Sequence, residues 1–153
     1  LFKTRFVAAN VGDSRLYHYH AGKIRQVTVD HSYVAELVAS GYITREEAAH
    51  HPRRNLITRA LGPDALVECD GYLCELHVGE YLLLCTDGLI DTVTDQEMLF
   101  EVLHAELEDE DLVRVLKESE TLDLACASLV ELALASGSRD NVSVVLVENG
   151  EVR

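Results

Sequence analysis

Two aspartates lie next to apolar stretches of the sequence, where a carboxylate needs a partner. Asp87 follows the run at residues 81–85, and Asp140 precedes the run at residues 142–147. Continuous apolar runs of this length are typical of strands buried on both faces. A carboxylate at the mouth of such a strand costs several kcal/mol of desolvation unless it is paired. If the two strands are antiparallel, Asp87 and Asp140 converge at one edge of the sheet, where a bound cation is their simplest partner.

A third aspartate, Asp13, lies between strand patterns at residues 5–11 and 15–20. The three carboxylates offer only oxygen ligands, which suit the hard cations Mg²⁺ and Mn²⁺ better than zinc. Each residue by itself has a structural alternative: Asp13 or Asp87 can cap a local turn or segment, and Asp140 can be a turn residue. Asp87 and Asp140 together, each beside a buried strand, favour a metal site, whereas for Asp13 the residues alone favour the turn.

Three further residues support this site. Gly88 has no side chain, so another group can approach the backbone beside Asp87 closely. Asp91 follows Asp87 by four residues and shares its face if a turn of helix begins here. Asp91 then either holds a metal-bound water or caps the next segment. Asn141 is predicted to fix the orientation of Asp140 by a hydrogen bond.

Two histidines, His18 and His20, alternate with Tyr17 and Tyr19 along a predicted hairpin strand, so that they share one face. Two histidines at this spacing can hold a transition metal. A solvated face of the hairpin is the simpler interpretation, because no third ligand is evident.

Four cysteines, none in a Cys-x-x-Cys pair, occur at Cys69, Cys74, Cys85 and Cys126. Three fall within strand patterns and one within a helix pattern. Buried free thiols in a reducing cytoplasm are the plain interpretation. A zinc site or a disulfide is the alternative.

The basic residues Arg53, Arg54 and Arg59 form an island in an acidic chain. They can dock a phosphorylated segment through charge-assisted hydrogen bonds. The alternative is local neutralisation of Glu46 and Glu47, although exposed ion pairs of that kind contribute little to stability.

The overall composition excludes several classes of protein. With 153 residues and 48% hydrophobic content, the chain is predicted to be a single globular domain. Its net charge of −14 argues against binding to nucleic acid or to an anionic membrane surface. No apolar run approaches the length of a transmembrane helix and no signal peptide is visible, so we expect a cytoplasmic protein without a membrane segment.

The elements that position these residues follow from hydrophobic periodicity. Strands are predicted at residues 5–11, 15–20, 23–29, 56–61, 66–76, 81–85 and 142–148. Helices are predicted at residues 33–40, 44–51, 94–107, 112–118 and 121–136. Thr44 and Thr94 each begin a capping box. This order predicts an α+β domain, mainly antiparallel sheet flanked by helices.

Six sequence segments carry a family resemblance. They are residues 9–15 with Gly12-Asp13-Ser14-Arg15, then Asp30-His31-Ser32, His51-Pro52-Arg53-Arg54-Asn55, Leu61-Gly62, residues 86–91 with Thr86-Asp87-Gly88, and residues 138–144 with Ser138-Arg139-Asp140-Asn141. In this order, and over nearly the whole chain, the sequence resembles bacterial metal-dependent serine/threonine protein phosphatases of type 2C. The resemblance implies a largely antiparallel β-sandwich flanked by helices.

The resemblance also implies an activity and a site. It predicts one phosphatase-like domain at residues 1–153 that hydrolyses phosphoserine and phosphothreonine with a metal-activated water. Asp87 and Asp140 would bind a first Mn²⁺ or Mg²⁺, and Asp13 with Asp87 a third, in a complete domain of two to three ions. A flap at residues 30–55 would influence the choice among phosphorylated protein substrates, and a Ser/Thr kinase would be the opposing partner.

One motif of the family has no counterpart in this sequence. The family begins with a strand that carries an Asp-Gly-Met-Gly-Gly-His type motif, whereas the only methionine here is Met98. We therefore expect a partial domain that binds Mn²⁺ weakly and hydrolyses poorly by itself. Two alternatives stay open: a catalytically inactive phosphatase-like module that binds a phosphoprotein or partner, and a phosphatase of a sigma-factor switch.

Overall fold

The computed structural model describes residues 3–20, 23–90 and 121–150. Its strands are β1 (Lys3–Asn10), β2 (Arg15–His20), β3 (Lys23–Gln26), β4 (Asp70–His77), β5 (Tyr81–Cys85) and β6 (Val144–Glu148). Its helices are α1 (Tyr33–Ala39), α2 (Arg45–Ala49), α3 (Asp87–Ile90) and α4 (Leu122–Ala135). None of the helices in these ranges is long and apolar enough to cross a membrane. Asp91 and the helices predicted at 94–107 and 112–118 lie outside the described residues.

The strands form two antiparallel sheets. One sheet has the order β3-β2-β5-β6, and the other pairs β1 with β4. In the larger sheet, Cys85 at the end of β5 is opposite Arg15 at the start of β2 and Val144 at the start of β6. The loops that follow β5 and precede β2 and β6 therefore meet at one edge, as the sequence predicted for β5 and β6.

Strand β5 lies at the centre of the core because both of its faces are covered. On one face its side chains, together with Tyr17 of the neighbouring strand β2, pack against α3 and α4 in a cluster of Tyr17, Leu83, Cys85, Leu89, Leu129 and Ala133. On the other face it packs against the β1–β4 sheet in a cluster of Leu16, Leu76 and Leu82. Complete burial of one leucine side chain stabilises the fold by about 1.5–3 kcal/mol. The two packed sheets with helices outside confirm the predicted α+β class.

Three helices begin at or within one residue of their predicted starts, and Thr44 is the capping residue that the sequence predicted. The hydroxyl of Ser32 accepts an amide hydrogen bond at the start of α1. Thr44 and Glu47 form the capping box of α2. Thr121 caps α4, and the chain leaves this helix through Gly137, whose φ of +91° suits a residue without a side chain. These local signals confirm three predicted helix starts.

The prediction of a strand at residues 56–61 is wrong. Ile57 forms only an isolated bridge with Ser32, and the carbonyl of Leu56 accepts a hydrogen bond from the Tyr33 amide (2.8 Å). The backbone of this segment is therefore satisfied by the start of α1 and not by a sheet.

Strands β3 and β4 are shorter than predicted. Strand β3 ends at Gln26, because the Thr28 hydroxyl accepts the hydrogen bond of the Leu16 amide (3.0 Å) in place of a ladder carbonyl. Strand β4 begins at Asp70, because its partner β1 ends at Asn10 in the register that pairs these two residues.

The four cysteines are free thiols, as predicted. Their burial differs from the prediction, since Cys69 is exposed and only Cys85 is fully buried. Cys69 is exposed because it lies just before β4, outside the strand in which it was predicted.

Candidate active site

The edge at the end of β5 is built by hydrogen bonds between two loops. The Thr86 amide donates to the carbonyl of Ser143 (3.1 Å). The Thr86 hydroxyl donates to the carbonyl of Asn141 (3.1 Å) and accepts from the Ser143 amide (3.0 Å). These bonds hold the start of α3 against the loop before β6. Asp87 and Asp140 consequently belong to adjoining loops.

Gly88 lies where these two loops come closest. A Cβ at this position would be 2.4 Å from the carbonyl oxygen of Asn141, closer than real Cβ contacts allow. The Ser138 hydroxyl also donates to the Gly88 carbonyl (2.7 Å). The close approach expected beside Asp87 is therefore present, and the approaching group is the backbone of the loop that carries Asp140.

The charge of Asp87 affects the ionisation of Asp13. Burial raises the pKa of Asp13, and the negative charge of Asp87 raises it further. Arg15 offers little compensation, because its guanidinium is bound to Asp30 (2.7 Å). Carboxylates that repel each other in this way are frequent in functional sites. A cation bound at this edge would remove the repulsion.

Asp140 is exposed on the neighbouring loop. Its Oδ1 accepts a hydrogen bond from the amide of Asn141 (2.7 Å), so Asn141 contacts it through the main chain and not through the side chain. In the ranges that the structure describes, no three His, Cys, Asp or Glu side chains are grouped closely enough to hold a metal ion. The structure thus associates Asp13 with Asp87 and places Asp140 on the loop beside them.

The three arginines of the basic island have different surroundings. Arg59 is bound to Asp70 (2.9 Å) within the fold. Arg53 lies over the ring of Tyr33, 5.7 Å from its centroid. Neither Arg53 nor Arg54 forms a salt bridge with another described residue. Their charge is therefore available to an anionic group, whereas that of Arg59 is already engaged.

Sequence reasoning missed the contribution of His31 and Asp70 to this region. His31 is 5% exposed and contacts both the Gly12 amide and the Asp70 carboxylate. The available signal in the sequence was the polar pair Asp30-His31, where the alternation typical of a strand ends. Sequence alone does not show which loops these side chains contact.

His18 and His20 contact a buried carboxylate at the opposite end of β5. His18 Nε2 lies 2.8 Å from Oε2 of Glu80, and His20 Nδ1 contacts Oε1 of the same residue. Glu80 also accepts a hydrogen bond from the His77 amide (3.0 Å). The predicted solvated face is correct for His20, which is 65% exposed, and wrong for His18, which is 17% exposed. The pairing with Glu80 accounts for the burial of His18.

The chain has relatives among known proteins, although no model of a protein family matches it. It is 39% identical over 146 residues to the serine/threonine phosphatase stp of Listeria welshimeri, a match that covers 95% of this chain and 52% of that protein. The crystal structure of the serine/threonine phosphatase Stp1 from Staphylococcus aureus matches with a TM-score of 0.81 at 39% identity. That match covers 97% of this chain and 53% of the other.

A further solved structure contains metal ions. It is the catalytic domain of the serine/threonine protein phosphatase PstP in complex with 2 manganese ions, and it matches with a TM-score of 0.74 at 35% identity. The match covers 94% of this chain and 53% of that domain. The chain thus spans about half the length of the relatives it matches. In both sequence and fold, it belongs to the bacterial serine/threonine phosphatases of type 2C.

Proposed function

We propose that the chain provides part of a metal-dependent active site that hydrolyses phosphoserine and phosphothreonine in proteins. The observation that carries this proposal is that the loops bearing Asp13, Asp87 and Asp140 meet at the edge formed by β2, β5 and β6. Relatives with this fold are named serine/threonine phosphatases, and one of their structures contains manganese. These similarities support hydrolysis of a phosphate ester at this edge.

The side chains at this edge fit Mn²⁺ or Mg²⁺. Asp13, Asp87 and Asp140 offer carboxylate oxygens, which hard divalent cations prefer. In this proposal Asp87 and Asp140 hold one ion, and Asp13 with Asp87 holds another. The chemistry that such ions supply when bound is a lower pKa for water and charge balance for a phosphoryl group.

The remaining residues orient the acidic groups and the substrate. The contact of Gly88 with the Asn141 carbonyl keeps the Asp87 and Asp140 loops together. Arg53 and Arg54 attract the phosphate of a protein substrate through charge-assisted hydrogen bonds, within a flap at residues 30–55. We place this reaction in the cytoplasm, where it opposes a serine/threonine kinase.

Titration calorimetry with Mn²⁺ tests the metal assignment. We expect weak binding to the chain and a smaller heat for Asp87→Ala. Asp64→Ala, which removes an exposed carboxylate from another loop, is the matched control and should keep the heat of the parent chain. Identical heats for the parent chain and Asp87→Ala would refute the assignment. Mn²⁺-dependent turnover of a chromogenic phosphate ester by a longer protein that contains this chain tests the activity.

A second candidate is a catalytically inactive module that binds a phosphoprotein. Two observations favour it: Arg53 and Arg54 form no salt bridge with other described residues, and those residues contain no three-ligand metal cluster. Phosphopeptide binding by the longer protein without Mn²⁺-dependent turnover would support this candidate. A phosphatase of a sigma-factor switch is a third candidate, and its phosphoprotein substrate would distinguish it.

A further inference from the structure

His31 makes two hydrogen bonds with the residue before Asp13. The ring Nδ1 of His31 accepts from the Gly12 amide (3.1 Å), and the His31 amide donates to the Gly12 carbonyl (2.9 Å). Gly12 has a φ of +109°, so the turn adopts a conformation that other residues rarely take. His31 therefore holds both polar groups of Gly12 in the turn that presents Asp13.

The other nitrogen of the ring faces Asp70 at the start of β4 and Arg59. Because Nδ1 accepts a hydrogen bond, the proton of the neutral ring lies on Nε2, which is 3.2 Å from Oδ2 of Asp70. Arg59 Nη1 lies 3.3 Å from the same nitrogen, but both atoms are donors in this tautomer. Both therefore donate to Asp70, and the bonds from His31 and from Arg59 lower its pKa.

Main-chain contacts extend this connection to residues 56–59. The Thr58 amide donates to the His31 carbonyl (2.7 Å), and the carbonyl of Leu56 accepts from the Tyr33 amide (2.8 Å). This segment directly follows Arg53 and Arg54. We call residues 53–59 the arginine-bearing segment. His31 thus contacts the Asp13 turn, Asp70 and this segment.

We propose that His31 is a positioning residue that couples the Asp13 turn to the arginine-bearing segment. Through Nδ1 it holds the turn, and through Nε2 and Asp70 it holds Arg59, so that displacement of one is transmitted to the other. The proposal rests on the proposed function, because only there does Asp13 bind an ion and the arginines a phosphate. A histidine that only stabilised the fold would affect both segments no more than any other buried polar residue does.

Two substitutions of His31 separate the contributions of its two ring nitrogens. In His31→Asn, the amide oxygen can replace Nδ1 as acceptor for Gly12, but the shorter side chain does not reach Asp70. In His31→Gln, the amide can reach Asp70, but the acceptor for Gly12 is lost. We expect faster amide hydrogen exchange at Gly12 in the Gln variant, by about tenfold for one lost hydrogen bond. We expect faster exchange at Thr58 in the Asn variant, and at both amides in His31→Ala.

Glu80→Gln is the matched control, because it perturbs a buried, hydrogen-bonded side chain at the far end of β5. It should accelerate exchange at Gly12 and Thr58 no more than its general loss of stability does, and less than the His31 variants do. Equal acceleration by Glu80→Gln, or unchanged exchange at Gly12 in both His31→Ala and His31→Gln, would overturn the proposal. If the Ala variant fails to fold, the Asn and Gln pair still decides the outcome.

A Mn²⁺ titration separates this proposal from the proposed function. We expect His31→Ala to weaken Mn²⁺ binding by about tenfold, as loss of an outer-shell partner does. The double variant with Asp13→Ala should bind no more weakly than Asp13→Ala alone. If Asp13→Ala does not alter Mn²⁺ binding, the metal assignment fails, whereas the exchange data still confirm or overturn the link through His31. If Asp13→Ala weakens binding and His31→Ala does not, His31 has no positioning role.

Discussion

Charged residues near the β5 edge differ in how far their neighbours stabilise the ionised form. Arg15 is half-buried, which by itself lowers its pKa, but its hydrogen bonds with Asp30 more than compensate and raise it. Asp13, two residues earlier, has the opposite balance, because burial and the charge of Asp87 both disfavour its ionised form. Functional sites commonly retain such unfavourable charges, since the energy is recovered when a ligand binds.

Asp13→Asn should therefore stabilise the metal-free protein at pH 7. The folded-state pKa of Asp13 is raised, so its contribution to stability is greatest below its unfolded pKa and is lost as pH rises through the folded pKa. We expect a melting temperature about 1–3 °C higher at pH 7, because solvent screens a partly exposed pair, with no difference near pH 3. Calorimetric melting with Asp64→Asn as control measures this. A lower melting temperature for Asp13→Asn at pH 7 would contradict it.

Cys85 and Cys69 should differ sharply in reactivity. Cys85 is only 4% exposed, and this burial raises the pKa of its thiol to about 12. Only the thiolate attacks an alkylating agent, so Cys85 should resist iodoacetamide at pH 8 in the folded protein. Cys69 is exposed and should be alkylated first. Mass spectrometry of tryptic peptides, with and without denaturant, checks the order, and early labelling of Cys85 would show that the core opens.

At the scale of elements, α3 is held by a backbone contact that leaves no room for a side chain. Gly88→Ala would place Cβ 2.4 Å from the Asn141 carbonyl oxygen and 3.0 Å from its carbon. We expect a loss of about 1–3 kcal/mol in the free energy of unfolding, because main-chain atoms must move. Gly71→Ala is the control, since its Cβ would meet nothing within 4 Å. Urea denaturation compares the two, and equal stabilities would show that the loops can separate freely.

The turn before β5 is connected to β2 by Glu80. Desolvation alone would raise the pKa of Glu80, but hydrogen bonds from the His77 amide, His18 and His20 together lower it. Its contribution to stability is therefore present above its unfolded pKa and is lost as pH falls through the folded pKa.

Glu80→Gln should destabilise the protein at pH 7 by about 1–2 kcal/mol, because an ionised acceptor of three hydrogen bonds becomes neutral. The difference from the parent chain should shrink at a pH below the lowered pKa of Glu80, where the parent carboxylate is also protonated. Urea denaturation at both pH values measures this. A difference that persists unchanged at low pH would contradict a role for the ionised carboxylate.

At the scale of the whole molecule, apolar side chains remain exposed on both sheets. Val7 is 76% exposed and Leu73 is 72% exposed on the β1–β4 sheet, where the two residues are paired. Leu84 and Val145 form a second such pair in the larger sheet. Apolar patches of this kind mark surfaces that other protein segments cover. The chain spans about half the length of its relatives, and sheet faces of this kind are expected in part of a larger fold.

We therefore expect the isolated chain to self-associate at micromolar concentration. Replacing Val7 and Leu73 with threonine should reduce association without lowering the melting temperature, because side chains this exposed contribute little to the core. Sedimentation velocity across a concentration series measures the effect. Leu16→Ala, which removes a buried side chain, should instead lower the free energy of unfolding by about 2–5 kcal/mol. A parent chain that stays monomeric throughout would contradict the prediction.

The sequence by itself determined the features that depend on local order. The buried strand at β5, the capping box at Thr44, the helix that begins near Thr121 and the acidic residues beside buried strands all follow from periodicity and neighbouring residue types. Only the tertiary structure decided which distant groups meet. It placed residues 56–58 against the residues at the start of α1, bound Arg59 to Asp70, and connected His31 to Gly12. Such contacts join residues that are far apart in the sequence. They depend on how the loops approach one another in the folded protein, which hydrophobic periodicity and local residue types do not reveal.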